Sequence, residues 1–572
     1  MANKNYNFRE EVNMKFPKII SVSGNMPYAV KEMKKYLSLI SESEFSNTGF
    51  PIKLTAGDGL SESFCVDIDN NSISINSESQ RGLLYGVYSF LEKLGVRFLA
   101  HDEEYLPRVN EININSYSSM PDFAYRDLYW RGALDGAFSV KCRLNSTRAY
   151  TTKDMGDTIR FYNYSHTFDE LISPDEYFDS HPEYFSYFNG KRQKKHSQIC
   201  MTNSEVLNIC TNKVLKWMRD NPNHQIFSVA QNDWYGGCEC DNCKRIDEKE
   251  GSQSATLILF VNAIADAIKE EFPNNKIHTF AYLHTRKAPK TIMPRDNVII
   301  RLCPIECCKS HPLGECDYVI DGINVENNCA DAFKRTDYSF ITDLKEWSEI
   351  TNHLHIWDYT TNYSNYLQPF PNLSVQKHNL KLYKKYGVEG MLMQGNYSPG
   401  KTSAFANLRI YLLSKLLWDT EEDECSLIEE FVEHYYGMPA KEHILSCLKT
   451  LESTAQKHHM GIFDMPNSPY LDEYTLSKAD IHLKLAINNT RDEKHLTRIK
   501  RERLSIIYAK LVRLPLDTLD RDNLVDNFAK QIDELGIKEL FERRELNASI
   551  ECIKNSQYAL NRHNVPYEFY RL

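Results

Sequence analysis

Between about residues 121 and 400 short apolar runs alternate with stretches of helical spacing, over and over. Strand patterns fall at 123–130, 138–144, 159–164, 225–230, 276–282, 297–303, 353–357 and 388–393. Runs such as Val298-Ile299-Ile300 are continuous rather than alternating, as expected of parallel strands buried on both faces. Eight strands with helices between them predict an α/β fold of the (β/α)8 TIM-type barrel class. Two of the helices are clearly marked. Asn203 or Ser204 can cap one that runs through Met218, and Ser252 or Ser254 can cap another that runs toward Phe272 and stops at Pro273.

The flanks differ. At 572 residues the chain is too long for one core. Residues 1–118 read as an N-terminal α+β domain, 119–404 as the catalytic barrel and 405–572 as an α-helical C-terminal domain. In the first segment Ile19–Val22 and Val96–Leu99 read as strands, 29–40 and 83–94 as helices, and Asp69-Asn70-Asn71 as a hairpin turn. Net charge is −10, which argues against nucleic acid and anionic membranes as partners. No apolar run approaches the ~20 residues of a membrane span. The polar stretch Met1–Asn13 lacks the apolar region of a signal peptide. The expectation is therefore cytoplasmic, or extracellular or periplasmic if a leader has been removed. Asn145-Ser146-Thr147 has the glycosylation pattern.

In a barrel the chemistry lies at the C-terminal ends of the strands. The run from Ile226 ends in Gln231-Asn232-Asp233-Trp234-Tyr235, then Gly236-Gly237 and Cys238, Cys240 and Cys243. The other strand ends offer Arg126, Trp130, Arg131, His166, Tyr282, Glu306, Trp357, Asp358, Tyr359, Gln394 and Asn396. Three carboxylates (Asp233, Glu306, Asp358) with aromatic rings make up the equipment of a glycosidase acting on a carbohydrate substrate. A single carboxylate at a strand end is more often a solvated loop residue, so the weight rests on the convergence. Asn232 beside Asp233 suggests a sharper scheme. Glycosidases that use a substrate's own acetamide as nucleophile need one group to orient that amide and a neighbouring acid to protonate the leaving oxygen. The alternative is that Asn232 merely caps a loop. Cys238-x-Cys240-x-x-Cys243 resembles part of a structural zinc site whose fourth ligand could be Cys200, Cys303, Cys307, Cys308 or a histidine; reduced packed thiols and a local disulfide are the alternatives. No cofactor is required for the chemistry. P-loop, dinucleotide, HExxH and GxSxG motifs are absent from the sequence.

At these residues the chain resembles a bacterial family labelled domain of unknown function 4838, part of which forms glycoside hydrolase family 163. The resemblance is carried by His181-Pro182-Glu183-Tyr184-Phe185, Asn189-Gly190-Lys191-Arg192, Gln198-Ile199-Cys200-Met201-Thr202-Asn203, Ser228-Val229-Ala230-Gln231-Asn232-Asp233, Gly237-Cys238-Glu239-Cys240-Asp241-Asn242-Cys243, Arg301-Leu302-Cys303-Pro304-Ile305-Glu306-Cys307-Cys308, Trp357-Asp358-Tyr359 and Pro369-Phe370-Pro371-Asn372. The N-terminal segment looks like the small domain that precedes the barrel in β-hexosaminidases and α-glucuronidases. The resemblance implies a retaining endo-β-N-acetylglucosaminidase acting on the chitobiose core of N-glycans, with Asp233 as general acid and Asn232 orienting the acetamide. The chain departs from the hexosaminidase pattern, which has Asp-Glu where this chain has Asn232-Asp233. It also has Met393-Gln394 where related sequences often carry an acid.

Together these observations predict a glycoside hydrolase that cleaves a β-linked N-acetylhexosamine with retention. Asp233, Asn232, Glu306 and Asp358 are the expected catalytic set. The alternatives are an inverting α-glucuronidase-like hydrolase, a non-catalytic glycan-binding protein, and a metal- or redox-sensing module.

Overall fold

The computed structural model describes residues 13–146, 148–234, 236–316, 318, 339–363, 365–397, 403–540 and 545–555. The chain divides into two compact units, one of residues 1–158 and 407–438, the other of residues 159–406 and 439–572. This division is not the expected one of three consecutive segments, since the helix Glu424–Tyr436 belongs to the first unit.

In the first unit a six-stranded sheet runs in the order Tyr117–Ser119, Phe64–Ile68, Ile73–Ser77, Phe50–Ala56, Ile19–Gly24, Glu44–Phe45. The expected hairpin is present. Phe64–Ile68 and Ile73–Ser77 pair antiparallel, and the Asp69 carboxylate closes the turn by accepting from the backbone N–H of Asn71 (2.7 Å) and Ser72 (2.8 Å). Helices Pro27–Ile40 and Gln80–Lys93 pack on this sheet.

Three expectations fail in this unit. Residues 138–144, read as the second barrel strand, instead hold the helix Gly136–Lys141, because Asp135 caps it by accepting from the Phe138 N–H. A short apolar run does not distinguish a buried helical turn from a strand; the cap decides it here. Arg126, expected to bind substrate, is fully buried on the strand Tyr125–Tyr129. Its guanidinium donates to the carbonyls of Arg143 (2.7 Å) and Phe123 (2.7 Å) and pairs with Glu62. Burial alone would raise the Glu62 carboxyl; Arg126 and Arg81 outweigh it and hold the group below its usual range. Asn145 completes the cluster. Its amide donates to Glu62 (2.9 Å) and to the Ala124 carbonyl (2.7 Å), and the residue is fully buried, so the sequon's acceptor nitrogen is enclosed. Trp130 is likewise buried, at 1% exposure, which leaves no ring face for a sugar, whereas Arg131 is exposed at the start of the turn Arg131–Leu134.

The second unit is built on a parallel sheet whose strands neighbour one another in chain order: β1 (Phe161–Tyr162), β2 (Ile226–Ser228), β3 (Lys276–Ala281), β4 (Val298–Leu302), β5 (Leu354–Tyr359) and β6 (Gly390–Gln394). These are six of the eight expected strands; a seventh, expected at 123–130, is the strand Tyr125–Tyr129 of the first unit. Helices α1 (Ser204–Asp220), α2 (Asp241–Glu250), α3 (Ser254–Ile268), α4 (Phe340–Ile350) and α5 (Leu373–Lys385) connect them. Asn203 caps α1 as expected, its side-chain oxygen accepting from the N–H of Glu205 and Val206. Helix α3 buries Leu257, Ile258, Phe260, Val261, Ile264 and Ile268, each contributing about 1.5–3 kcal/mol. Beyond the sheet lie α6 (Lys441–Ala455), α7 (Glu473–Asn489), α8 (Glu493–Arg513) and α9 (Arg521–Glu534). Leu504, Tyr508, Leu511 and Val512 of α8 share a core with Val525, Phe528 and Ile532 of α9. Among the described residues no single helix is long and apolar enough to cross a membrane.

Candidate functional site

Register fixes which side chains share a face of the sheet. Phe280 of β3 pairs with Arg301 of β4, Arg301 with His355 of β5, and Tyr359 of β5 with Gln394 of β6. Trp357 and Tyr359 follow His355 at two-residue steps and so point the same way. The Arg301 guanidinium lies 5.9 Å from the Trp357 ring centroid, the Phe280 and Trp357 rings are 5.6 Å apart, and the Trp357 indole N–H donates to Gln394 at 2.6 Å. Asp233 stands beside this aromatic face: it is bonded to Tyr282, whose ring lies 6.4 Å from Phe280.

The chain leaves β2 under tight control. The Val229 N–H donates to the His278 carbonyl and the Ala230 N–H to the Thr167 hydroxyl. Buried Gln231 donates to Thr285 Oγ1 at 2.6 Å. Neighbouring side chains of an extended segment point to opposite sides, and here they separate Asn232 from Asp233. Asn232 turns away from the aromatic face. Its amide donates to Asp169 (2.7 Å) and to the Ser197 carbonyl (2.8 Å), and its oxygen accepts from the Asp169 N–H (3.1 Å). It binds two protein segments together and has no donor left for a substrate acetamide, which corrects its expected role.

Asp233 points the other way and its side chain is 66% exposed. The Tyr282 hydroxyl donates to its Oδ1 at 3.1 Å. His166 Nε2 lies 4.0 Å from the same oxygen. The His166 Nδ1 is 2.5 Å from the Gln231 carbonyl, which can only accept, so Nδ1 carries the hydrogen and a neutral ring turns the Nε2 lone pair toward Asp233. The His166 ring also lies 5.2 Å from Phe280 and 6.2 Å from Tyr282. Burial drives the Tyr359 hydroxyl well above its usual range, and the fields of Cys303, Tyr282, Tyr363 and Asp233 push it further. Asp233, His166, Tyr282, Trp357, Tyr359 and Gln394 are thus gathered on one side of the sheet.

Glu306 and Asp358 are not among them. Asp358 follows Trp357 and faces the helices. It is 3% exposed, accepts from Lys309 (3.0 Å) and its own following N–H (2.7 Å), and takes a third hydrogen bond from Tyr383 of α5 (2.9 Å). Glu306 is 1% exposed and contacts Arg286, which also pairs with Asp343 of α4 at 3.0 Å. Three carboxylates here share two cations. Burial pushes the Glu306 carboxyl up to about 8, Lys309 opposes the shift and Asp343 adds to it. Both residues belong to a buried charge network, which corrects their expected place at the open rim.

Of the remaining expected residues, Trp234 is half-buried and stacks on His196 with centroids 3.8 Å apart. Asn396 is 4% exposed, and Tyr235 lies outside the described residues. A residue that the sequence reading did not single out holds the Asn232–Trp234 segment in place. Gln198, 1% exposed, accepts from the Asn232 N–H (2.9 Å) and donates to the carbonyls of Asn232 (2.9 Å) and Trp234 (2.6 Å). Gln198 opens one of the segments that carry the family resemblance, but no local spacing tells that its amide recognises the backbone of a segment 34 residues on.

Below this segment four thiols meet. Cys200, Cys238, Cys240 and Cys243 have their sulfurs within 4.8 Å of one another, and Cys200 and Cys240 are 3.8 Å apart. A tetrahedral zinc with Zn–S of about 2.3 Å sets its sulfurs about 3.8 Å apart, so the donor set and spacing fit that ion. Gly236 begins the loop at φ +98, where a Cβ would also press on the Phe188 ring at 3.0 Å; only glycine takes that turn without strain.

Residues 98–449, well over half of the chain, match the family model described as Domain of unknown function (DUF4838). The chain belongs to that family. No curated protein matches its sequence. Among solved structures, the chain is similar to a family GH115 4-O-methyl-α-glucuronidase, BtGH115A, with specificity for decorated arabinogalactans. That likeness has a TM-score of 0.55 and 11% identity, over 91% of this chain and 77% of the other. A Flavobacterium johnsoniae chitobiase, FjGH20, aligns at TM-score 0.44 and 11% identity, over 96% and 97% of the two chains. CpGH84B aligns at 0.46 and 11%, over 95% and 97%. At such identity the glucuronidase likeness speaks for a shared α/β fold, a mixed architecture around a parallel sheet.

Proposed function

We propose that this member of the family is a glycoside hydrolase that cleaves a β-linked N-acetylhexosamine, as in an N-glycan chitobiose core, with retention and with the substrate's acetamide as nucleophile. The observation that carries the reading is the fate of the three expected carboxylates. Asp233 alone stands exposed beside the aromatic face, while Glu306 and Asp358 are buried against the helices. A mechanism that draws its second reactive oxygen from the substrate needs one acid–base carboxyl, with another group near it to orient the amide, whereas an inverting hydrolase needs two carboxyls across the sugar ring. Reading the parallel sheet as the larger arc of a barrel supports this assignment, because barrel enzymes keep their chemistry at the C-terminal ends of the strands, where Asp233 follows β2.

In the first step the acetamide oxygen bonds to the anomeric carbon as the glycosidic bond breaks. The bonding pair leaves on the glycosidic oxygen, which takes the proton from Asp233. In the second step the Asp233 carboxylate removes a proton from water as that water bonds to the anomeric carbon and the ring bond to the acetamide oxygen breaks. Two inversions restore the β configuration. Tyr282 holds Oδ1 by its hydrogen bond, which leaves Oδ2 to carry the proton. His166, with Nε2 turned toward the site, would bind a sugar hydroxyl, and Trp357 and Trp234 would supply ring faces for the sugar. Cys200, Cys238, Cys240 and Cys243 would hold a zinc that supplies no chemistry and fixes the loop behind Asp233.

The test is a screen of N-glycans and simple N-acetyl-β-hexosaminides with the product anomer read by NMR. We expect a β product first, tight inhibition by an oxazoline-mimicking thiazoline, and a loss of turnover of about 10²–10⁴-fold in Asp233→Asn with binding retained. Near-wild-type turnover in that variant would sink the assignment.

A further inference from the structure

Beyond the proposed activity, and independently of it, we infer that Cys308, His311, Cys316 and His459 form a second zinc site. Two thiols and two imidazoles in the second unit bring their ligand atoms within 4.8 Å of one another. A tetrahedral zinc with Zn–S of about 2.3 Å and Zn–N of about 2.0 Å sets a sulfur and a nitrogen about 3.5 Å apart. Cys308 Sγ lies 3.3 Å from His311 Nδ1, and Cys316 Sγ lies 3.6 Å from His459 Nδ1. Each contact by itself would be an ordinary thiol–imidazole hydrogen bond. Two such pairs converging on one point, with the two rings 5.1 Å apart, are what a shared ion requires.

The surroundings orient the ligands as a metal site does. His311 Nε2 is 2.9 Å from the Gln456 carbonyl. That oxygen can only accept, so Nε2 keeps its hydrogen and Nδ1 presents a lone pair to the cluster. A carbonyl on the far nitrogen is the usual partner of a metal-bound histidine, because it fixes both tautomer and ring plane. The His459 ring is held by Tyr318, stacked at 3.8 Å and 5°. The two strands of chain are tied by backbone as well, with the Lys309 N–H donating to the Met460 carbonyl (2.8 Å) and the Ser310 hydroxyl to the His458 carbonyl (2.5 Å). Four protein ligands close the coordination sphere, which makes the site structural rather than catalytic. Sulfur with imidazole in a tetrahedral set selects zinc over hard cations. Its work would be to clamp the segment after β4, which carries Lys309 of the buried charge network, onto the turn after α6.

The experiment is zinc content by mass spectrometry and zinc X-ray absorption on full-length protein purified without chelator. With both sites filled we expect two zinc per chain and an average shell of about three sulfurs and one nitrogen. Cys308→Ser and His459→Ala should each lose one equivalent and leave a shell of about four sulfurs. One zinc with about two sulfurs and two nitrogens would support this site and dismiss the four-thiol one. One zinc with an all-sulfur shell in the wild type, a protein without zinc, or a Cys308–Cys316 disulfide detected by mass would each overturn the inference. The wild-type spectrum decides even if the variants do not fold.

Discussion

Replacing Gln198 by alanine removes three hydrogen bonds from one buried side chain, all of them to the backbone that carries Asp233. Each hydrogen bond contributes about 1 kcal/mol net, and truncating a buried side chain adds a cavity term. The loss in stability should therefore be about 3–5 kcal/mol. Under the proposed chemistry turnover should also fall by about 10²-fold, because a 1 Å shift of a reacting group costs that much. Equilibrium urea unfolding measures the first quantity and steady-state kinetics the second. Gln198→Glu provides the control. It keeps the acceptor for the Asn232 N–H but faces the carbonyls of Asn232 and Trp234 with an oxygen that donates only when protonated. Its folded-state carboxyl should thus be raised, and its stability should recover as pH falls. An alanine variant within about 0.5 kcal/mol of wild type, the range of an ordinary surface change, would refute the assignment of Gln198 as the clamp.

Further outcomes follow from the same geometry. Lys309→Met strands the Asp358 carboxylate in the interior and should destabilise the protein by about 3–5 kcal/mol, read as a drop in Tm. Glu306, held up at about 8 against its usual 4.5, binds its proton more tightly folded than unfolded. Stability should therefore decline as pH rises from about 4.5 to 8, and Glu306→Gln should flatten that slope in denaturation curves taken across the window. Asn232→Ala breaks bonds to Asp169 and Ser197 and should cost about 1–3 kcal/mol; its turnover should stay well above that of Asp233→Asn. A collapse of turnover equal to that of Asp233→Asn would instead give Asn232 a direct part in the chemistry.

The rhythm of apolar runs was enough to locate six parallel strands, the hairpin at Asp69-Asn70-Asn71 and the cap at Asn203, because those features depend on local spacing and turn chemistry. The same reasoning misplaced 138–144, where one aspartate cap converts an apolar run into a helix. At the site it named Asp233, His166, Tyr282, Trp357, Tyr359 and Gln394, which the structure gathers, together with Asn232, Glu306 and Asp358, which it turns elsewhere. Facing alternates at every residue of a strand, so an uncertainty of one position in register reverses a side chain from the open face to the helices. Periodicity locates a strand only to within a few residues.

Sequence by itself therefore determined the kind of architecture and the chemical equipment: parallel strands, aromatic rings, carboxyls and clustered cysteines, all written in composition and spacing. Tertiary structure decided which of those groups meet. Asp233 and Tyr282 stand 49 positions apart, and Cys316 and His459 stand 143 apart. Lys309 rather than solvent accompanies Asp358. Such pairings depend on how whole strands and helices pack, and no local pattern encodes that distance-independent choice.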